Sequence, residues 1–298
     1  MGLLEAHAGL KGKNAVVIGG AGGQGRAVSL ALAEAGVDLA VCDKDIAASQ
    51  AIVAEFEGLG RTILSVEADV CDAAALDRFY DKLEGAFDHL DILVNLAGGV
   101  KRGLFLDTTR EQNARDIRLN YGYVLDSVRR AVPLMRKSGK GGSIVNFTTI
   151  EAHRGAASFA VYAGAKAATT NFTRAMAVEL GADGIRVNAI APDTTPAQGS
   201  YNSLYPEDLA RIAALGETAL AQSYKMYIPQ KREPSVDDLV NGVLFLVSDL
   251  SRAITGQTLH VDGGTSASWG FMDWPYGDSF MPAPLGGTLA RLFPEDRK

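Results

Sequence analysis

Short runs of β-branched and other apolar residues recur seven times along the chain, and longer segments with helical periodicity separate them. Strands that alternate with helices form parallel sheets, and strands that are apolar almost throughout are covered by helices on both faces. The sequence therefore predicts an α/β fold, with a doubly wound, seven-stranded parallel sheet. The expected strands are Ala15–Ile18, Leu39–Cys42, Ile63–Val66, Ile92–Asn95, Ser143–Phe147, Arg186–Ala189 and Leu259–Val261.

The spacing of these runs also predicts the domain organisation. No internal repeat and no linker rich in Pro, Gly or Ser divides the chain, so we expect a single domain over residues 1–298. Two segments interrupt the alternation, at about 193–233 and, after the last strand, at about 265–298. Long connections inside an α/β domain usually form lids or binding loops. We predict a lid at 193–233 and a C-terminal extension at 265–298.

Charge and composition narrow the classes of partner. The chain has 35 acidic and 29 basic residues and a net charge of −6, which does not suit a nucleic acid partner. No apolar run reaches the roughly 18 residues of a membrane helix, and the first residues do not resemble a targeting signal. We therefore expect no membrane partner and a cytoplasmic location.

The cysteines and histidines indicate neither a disulfide nor a metal site. Cys42 and Cys71 lie at predicted strand ends, where small buried thiols are common, and a disulfide is the weaker alternative in a cytosolic protein. The four histidines are scattered, and none pairs with a cysteine or carboxylate at ligand spacing. We predict free thiols and no metal.

A glycine-rich turn follows the first strand and leads into a helical stretch at Ala27–Ala35. Glycines in this place let the backbone approach a pyrophosphate, and the free N–H groups at the helix start attract its charge. A flexible turn is the alternative, but the position between strand and helix favours a dinucleotide site. The predicted cofactor-binding residues of the turn are Gly19, Gly22, Gly23, Gln24 and Gly25.

Asp43 closes the second predicted strand, close to the spacing from Gly25 at which an acidic residue binds the adenosine ribose. Its carboxylate would repel the 2′-phosphate of NADP, so we predict NAD as the cofactor. Two basic residues argue against this choice, because either could bind a phosphate: Lys44, which is also a predicted cofactor contact, and Arg26.

Asp69 and Val70, after the third predicted strand, have the position of an adenine contact. An aspartate here also suits the start of the next helix, and this alternative is nearly as good. The sequence leaves both roles of Asp69 open.

Tyr162 and Lys166 lie four residues apart at the start of a long helical segment, which places them on one helical face. A free phenol has a pKa near ~10 and is a poor base at neutral pH. An ammonium group about 4 Å away, at an effective dielectric near 20, would stabilise the phenolate by ~4 kcal/mol, or roughly three pKa units. The pair therefore suits acid/base chemistry, although a surface pair is the alternative where the motif stands alone.

These patterns occur together, in the order and spacing of one family. From about Lys11 through Ser268 the sequence resembles the short-chain dehydrogenase/reductase family. The residues that carry the resemblance are Gly19, Gly23, Gly25, Asp43, Asn95-Leu96-Ala97-Gly98, Asn120, Thr149, Tyr162, Lys166, Pro192 and the late stretch Ile254–Gly264.

The resemblance implies a Rossmann-type fold, NAD-dependent hydride transfer to or from an alcohol or ketone, and a homotetramer. Tyr162 would be the proton donor or acceptor, and Lys166 would lower its pKa and bind the nicotinamide ribose. Asn120 would hold a water that links Lys166 to solvent, and Thr149 would bind the substrate oxygen. Further cofactor contacts are expected at Asn95, Ala97, Gly98, Pro192, Asp193, Thr194 and Thr195.

Four positions depart from the usual pattern of the family. Ile18 stands where Thr is usual and Leu96 where a second Asn is usual, and the two apolar side chains could pack together. Thr149 replaces Ser, which keeps the hydroxyl but stiffens the side chain. Asp193 replaces the Gly that commonly follows the Pro, and a turn or helix-cap role suits it at least as well as a substrate contact.

Aromatic residues are concentrated in the lid and the extension, which favours a bulky apolar or cyclic substrate. Packing of these residues on each other or on another subunit is an equal alternative. The aromatic residues include Tyr201, Tyr205, Tyr224, Tyr227, Trp269, Phe271, Trp274, Tyr276 and Phe280.

Glu151 and His153 follow Thr149, and a solvated loop pair is the favoured interpretation of both. Two other functions stay open for the whole protein: an NAD-binding sensor or scaffold without turnover, and an NAD-dependent epimerase or dehydratase.

Overall fold

The computed structural model describes residues 7–61, 63–195, 206–268, 270–274 and 279–282. Its main strands are β1 (Asn14–Ile18), β2 (Asp38–Asp43), β3 (Ile63–Glu67), β4 (Ile92–Asn95), β5 (Gly142–Phe147), β6 (Ile185–Pro192) and β7 (Thr258–Val261). They form one parallel sheet with the order β3-β2-β1-β4-β5-β6-β7. The predicted fold class is confirmed.

The strand order reverses between β1 and β4, which are neighbours in the sheet. From β1 the chain proceeds outward to β2 and β3, and then returns to add β4 on the other side of β1. Doubly wound sheets bind ligands in the crevice at the carboxyl ends of the strands where the order reverses. The loops that follow β1 and β4 therefore border the expected site.

Helices cover both faces of the sheet. They are α1 (Gly23–Glu34), α2 (Ile46–Leu59), α3 (Ala73–Ala86), α4 (Arg110–Ile117), α5 (Tyr123–Ser138), α6 (Ala160–Glu179), α7 (Pro206–Tyr227), α8 (Val236–Val247) and α9 (Thr265–Ser268). Alternate residues of β1 point to opposite faces, as strand geometry requires. Val16 and Ile18 pack with α3 and α5, whereas Ala15 and Val17 pack with α1, α2 and α8.

Capping side chains begin α2, α3, α4 and α8, whereas α1 begins without one. The Asp45 carboxylate accepts from Ala48 N at the start of α2, and Thr109 begins α4 with a capping box. Helix α1 begins after Gly22, which has no side chain to satisfy the free N–H groups. These groups are left for a ligand.

Helix α7 occupies much of the predicted lid, and a small hairpin follows α9 in the predicted extension. The hairpin pairs β8 (Phe271–Trp274) antiparallel with β9 (Ser279–Pro282). Lys231, just after α7, forms an ion pair with Asp273 of β8 at 2.5 Å. Of the aromatic residues expected around a substrate, Tyr201, Tyr205, Trp269 and Tyr276 lie outside the described residues.

Both cysteines are free thiols, with Cys42 buried and Cys71 partly buried. Among the residues that the structure describes, no helix combines the length and the apolar character needed to cross a bilayer.

Candidate active site

The turn between β1 and α1 is tightly packed on one side and open on the other. Gly19 adopts φ +82°, and a Cβ there would lie 2.8 Å from the Ala97 backbone. A Cβ on Gly25 would lie 1.8 Å from the Gly19 carbonyl oxygen. Beside Gly22, in contrast, a Cβ would meet nothing within 4 Å. An uncapped helix start that faces open space, with Gly23 and Gln24 in its first turn, fits a pyrophosphate.

Asp43 lies at the end of β2 and is held by this same turn. Its two carboxylate oxygens accept hydrogen bonds from Ala21 N and Asp45 N, both at 3.1 Å. The guanidinium of Arg26 is bound to Glu55, so it already has a carboxylate partner. Lys44 is exposed. Asp43 is therefore the acidic group that the turn holds in place at the edge of the crevice.

Asp69 and Val70 form part of a turn before α3. Asp69 accepts from Cys71 N at 2.8 Å, and this hydrogen bond is the main cause that lowers the pKa of its carboxyl. The side chain also pairs with Arg115 at 3.5 Å. Asp72, not Asp69, caps α3, so the helix-start role considered for Asp69 was wrong. The Val70 side chain is buried in the core.

The last residue of β4, Asn95, points into the core, and the segment that follows it packs against β1. Asn95 is fully buried and donates to Asn146 Oδ1 of β5 at 2.9 Å, while Asn146 donates to Thr173 of α6 at 3.0 Å. Ala97 N donates to the Ile18 carbonyl at 2.8 Å. The three side chains form a polar chain that joins β4, β5 and α6.

The suggestion that Ile18 and Leu96 pack together was wrong. Ile18 belongs to the core on the α3 and α5 face, whereas Leu96 packs against the core on the α1 and α2 face. The two residues are joined through their backbones instead, by Leu96 N donating to Ile18 O at 3.0 Å. The apolar side chains of Ile18 and Leu96 are thus each accommodated by the core on a different face of the sheet.

Asn120 and Lys166 meet at Gly98. Asn120 lies in a widened turn, Arg118–Gly122, between α4 and α5, and its amide exchanges hydrogen bonds with the Gly99 backbone. A Cβ on Gly98 would lie 3.0 Å from Asn120 Oδ1 and 3.1 Å from Lys166 Nζ. Lys166 donates to the Phe147 carbonyl at 2.8 Å, and its burial lowers its pKa to about 8. The backbone oxygen of Asn120 accepts from Thr169 at 3.0 Å.

The Tyr162 phenol lies near the Thr149 hydroxyl. Burial raises the pKa of Tyr162 to about 12, and the Glu151 carboxylate raises it further while the Thr149 hydroxyl acts to lower it. Lys166 is not among the groups that shift this pKa, while the partly buried phenol has a negative charge nearby. The lowering of the Tyr162 pKa by Lys166 stays a prediction.

Sequence reasoning missed a network of polar side chains around Arg154, which we call the Arg154 network. Its members are Thr149, Glu151, Arg154, Asp193, Tyr227 and Thr265. Thr149 Oγ1 donates to Glu151 Oε2, and Arg154 binds Glu151 Oε1 at 2.9 Å and the Tyr227 hydroxyl at 2.7 Å. Glu151 is thus not the solvated loop residue we expected, since only 17% of its side chain is exposed. The spacing of Glu151 and Arg154, three residues apart, was the available signal.

Asp193 connects this network to β6, the lid and α9. Its Oδ2 accepts from Tyr227 at 2.7 Å and from Thr265 at 2.8 Å, and burial raises the pKa of its carboxyl. Neither a turn nor a helix cap describes its role. Its neighbour Thr194 has φ +51° and a buried hydroxyl with no hydrogen-bond partner among the described residues. Pro192 ends β6, and Thr195 is buried beside it.

The comparisons with known proteins agree with this architecture. Residues 19–266 match a family model described as enoyl-(acyl carrier protein) reductase. The chain is 32% identical to 2,3-dihydro-2,3-dihydroxybenzoate dehydrogenase of Bacillus subtilis, over 87% of this chain and 97% of that protein.

Solved structures with the same fold include two with a bound nucleotide. Carveol dehydrogenase from Mycobacterium avium in complex with NAD has a TM-score of 0.78 and 29% identity, covering 86% of this chain and 98% of that one. A 7α-hydroxysteroid dehydrogenase with NADH and 7-oxo glycochenodeoxycholic acid also has a TM-score of 0.78 and 29% identity, covering 89% and 98%. The chain belongs to the short-chain dehydrogenase/reductase family of oxidoreductases.

Proposed function

We propose that the protein is an NAD(H)-dependent oxidoreductase that transfers a hydride between nicotinamide and a secondary alcohol or ketone. The observation that carries the proposal is the placement of Tyr162 near Thr149 at the carboxyl end of the sheet, with Lys166 and Asn120 converging on Gly98. A sensor or scaffold needs no such pair, because binding alone does not require a proton donor.

The residues present fit a dinucleotide. The N-terminus of α1 would bind the pyrophosphate, Asp43 the adenosine ribose and Lys166 the nicotinamide ribose. Thr194, whose buried hydroxyl lacks a described partner, would bind a polar group at the nicotinamide end. When bound, the cofactor supplies or accepts the hydride.

Proton transfer to and from the substrate is carried out by side chains of the protein. In the reductive direction the Tyr162 phenol donates its proton to the substrate oxygen, and in the oxidative direction the phenolate accepts it. The raised pKa of about 12 keeps the phenol protonated at neutral pH, which is the form that donates to a ketone. Thr149 lies beside it and would hold the same substrate oxygen.

The proposed substrate is bulky and apolar or cyclic. The hollow beside Tyr162 is lined by the apolar residues Val100, Phe105, Phe159 and Val161 together with polar ones, Lys101, Asn113, Asp116 and Ser158, so it offers apolar contacts beside polar anchors. Two structural relatives, a carveol dehydrogenase and a 7α-hydroxysteroid dehydrogenase, support the same class of substrate. We further propose that the lid approaches the site through Tyr227, which binds Arg154 and Asp193, and that the ion pair of Lys231 and Asp273 ties the extension to the lid.

A panel of cyclic, terpenoid, aromatic and steroid alcohols, each assayed with NAD and NADP, tests the function. We expect NADH to form with at least one cyclic alcohol, and the reverse reaction with its ketone. Absorbance of the reduced nicotinamide measures both. Turnover with short-chain alcohols alone would contradict the substrate class, and no turnover with any of them would contradict the function.

Replacing Asp43 by Ala should narrow the preference for NAD over NADP. The carboxylate that repels the 2′-phosphate is removed, while Arg26 stays bound to Glu55. The ratio of kcat/KM for the two cofactors measures the change. Asp43→Asn is the control, because it removes the charge and keeps the shape, so the same narrowing is expected. An unchanged ratio in both variants would contradict the choice of NAD.

A further inference from the structure

Arg154 contacts three segments of the chain that are far apart in sequence. Its Nη1 donates to the Tyr227 hydroxyl at 2.7 Å, and its Nη2 donates to Glu151 Oε1 at 2.9 Å and lies 3.7 Å from Asp193 Oδ2. These partners belong to the last turn of α7, to the loop after β5 and to the segment after β6. One guanidinium group therefore joins the C-terminal end of α7 to two loops at the carboxyl edge of the sheet.

The Tyr227 hydroxyl is held from both sides. It accepts from Arg154 and donates its own hydrogen to Asp193 Oδ2 at 2.7 Å. Burial raises the pKa of Tyr227 to about 12, so the phenol keeps the hydrogen that it donates. Hydrogen bonds to charged groups are stronger than those between neutral groups. The end of α7 is thus fixed by two strong hydrogen bonds to one phenol oxygen.

Arg154 also separates two carboxylates that have little access to water. Only 17% of the Glu151 side chain and 9% of the Asp193 side chain are exposed. Burial raises the pKa of Asp193, the Glu151 charge raises it further, and the Arg154 charge opposes the change. Without the guanidinium, two like charges would face each other where solvent screens them poorly. Arg154 therefore keeps the loop after β5 and the segment after β6 together.

We propose that Arg154 is a positioning residue, which holds the end of α7 against the loop that carries Thr149. The role rests on the proposed function, in which Thr149 binds the substrate oxygen. Arg154 acts on Thr149 through Glu151, whose second carboxylate oxygen accepts from Thr149 Oγ1. The partners of Arg154 are side chains of the protein, so its loss should weaken substrate binding more than it slows the chemical step.

The balance between KM and kcat tests this role. Arg154→Met removes the charge and keeps a long side chain. We expect KM for the alcohol to rise about tenfold or more, the scale for loss of a hydrogen bond to a charged group, and kcat to fall by less. A fold defect would instead reduce the amount of active enzyme, which lowers the measured kcat and leaves KM unchanged. Arg154→Lys keeps the charge but not the planar fork, so its KM should be intermediate.

Limited trypsin digestion tests the same contact without cofactor or substrate. Lys225 is exposed in the last turn of α7, two residues before Tyr227. Cleavage after Lys225 requires the end of the helix to open locally, so its rate follows the opened population. We expect this cleavage, measured by mass spectrometry of the fragments, to be about tenfold faster in Arg154→Met than in the wild type.

Arg130→Met is the matched control. Arg130 binds three carboxylates of α3 and lies 5.6 Å from the centre of an aromatic ring, on the α3 and α5 face. Arg154 likewise lies 5.9 Å from the centre of the Tyr227 ring. Arg130→Met should leave KM, kcat and cleavage after Lys225 unchanged. Tyr227→Phe, which removes only the hydroxyl, should reproduce both effects of Arg154→Met to a smaller degree, including where Arg154→Met fails to fold.

The outcomes distinguish this inference from the function on which it rests. Cleavage after Lys225 at the wild-type rate in both Arg154→Met and Tyr227→Phe would overturn the inference, whatever the protein oxidises. A fall in kcat with an unchanged KM would overturn it as well. If the wild type oxidises no alcohol, the proposed function fails, whereas faster cleavage in these variants but not in Arg130→Met still supports the role of Arg154 in holding α7.

Discussion

A Tyr162→Phe variant binds NADH as the wild type does and loses at least about 10² in kcat, the usual contribution of a general acid or base. The variant keeps the ring, so the packing against Phe159 at 6.1 Å between ring centres is retained. It removes only the hydroxyl that Thr149 contacts. Steady-state rates and NADH titration measure the two parts of this prediction separately.

Tyr80→Phe is the matched control for this variant. Tyr80 is another buried phenol, hydrogen-bonded to Ser127 at 2.7 Å on the α3 and α5 face, away from the crevice. Its hydroxyl should contribute about 1 kcal/mol to stability and nothing to kcat. Equal kinetic losses in both variants would show that loss of a buried hydroxyl, rather than loss of the proton donor, explains the effect.

Gly25→Ala should weaken NADH binding by about tenfold or more and lower the Tm, because overpacking at this scale costs about 1–3 kcal/mol. The added Cβ would lie 1.8 Å from the Gly19 carbonyl oxygen and 3.0 Å from Gly20 Cα. Both are backbone atoms and have no rotamer by which to move aside. The turn that presents the N–H groups of α1 must therefore shift.

Gly22→Ala separates steric crowding from the general cost of changing a glycine in this turn. A Cβ there meets nothing within 4 Å, and the φ of −120° is ordinary for alanine. Thermal unfolding without cofactor should give the wild-type Tm for Gly22→Ala and a lower one for Gly25→Ala. Equal Tm values for the two variants would contradict the steric argument.

The fold could be predicted from sequence because its signal is local. Apolar runs alternate with helical periods throughout, and the strand bounds agree closely with the expectation, with β6 continuing to Pro192. The glycine turn and Asp43 were equally accessible, since a strand, a turn and a second strand fix their places. Such features depend on residues close in sequence or on regular spacing.

The electrostatics of the site could not be predicted in the same way. The sign of the pKa shift of Tyr162 depends on burial and on Glu151, whose orientation is set by Arg154. Asp193 meets Tyr227 and Thr265 only because β6 and α7 end, and α9 begins, at the same edge of the sheet. No short motif encodes contacts between segments so far apart in the chain.

The buried chain of Asn95, Asn146 and Thr173 has a consequence for the helix that carries Tyr162. Apolar side chains tolerate sliding of a helix along a sheet, but directional hydrogen bonds do not, since a small displacement leaves buried amides without partners. Thr173 therefore fixes the axial position of α6 relative to β5. The height of the phenol above the sheet is set eleven residues farther along the same helix, where the Thr173 side chain is fully buried.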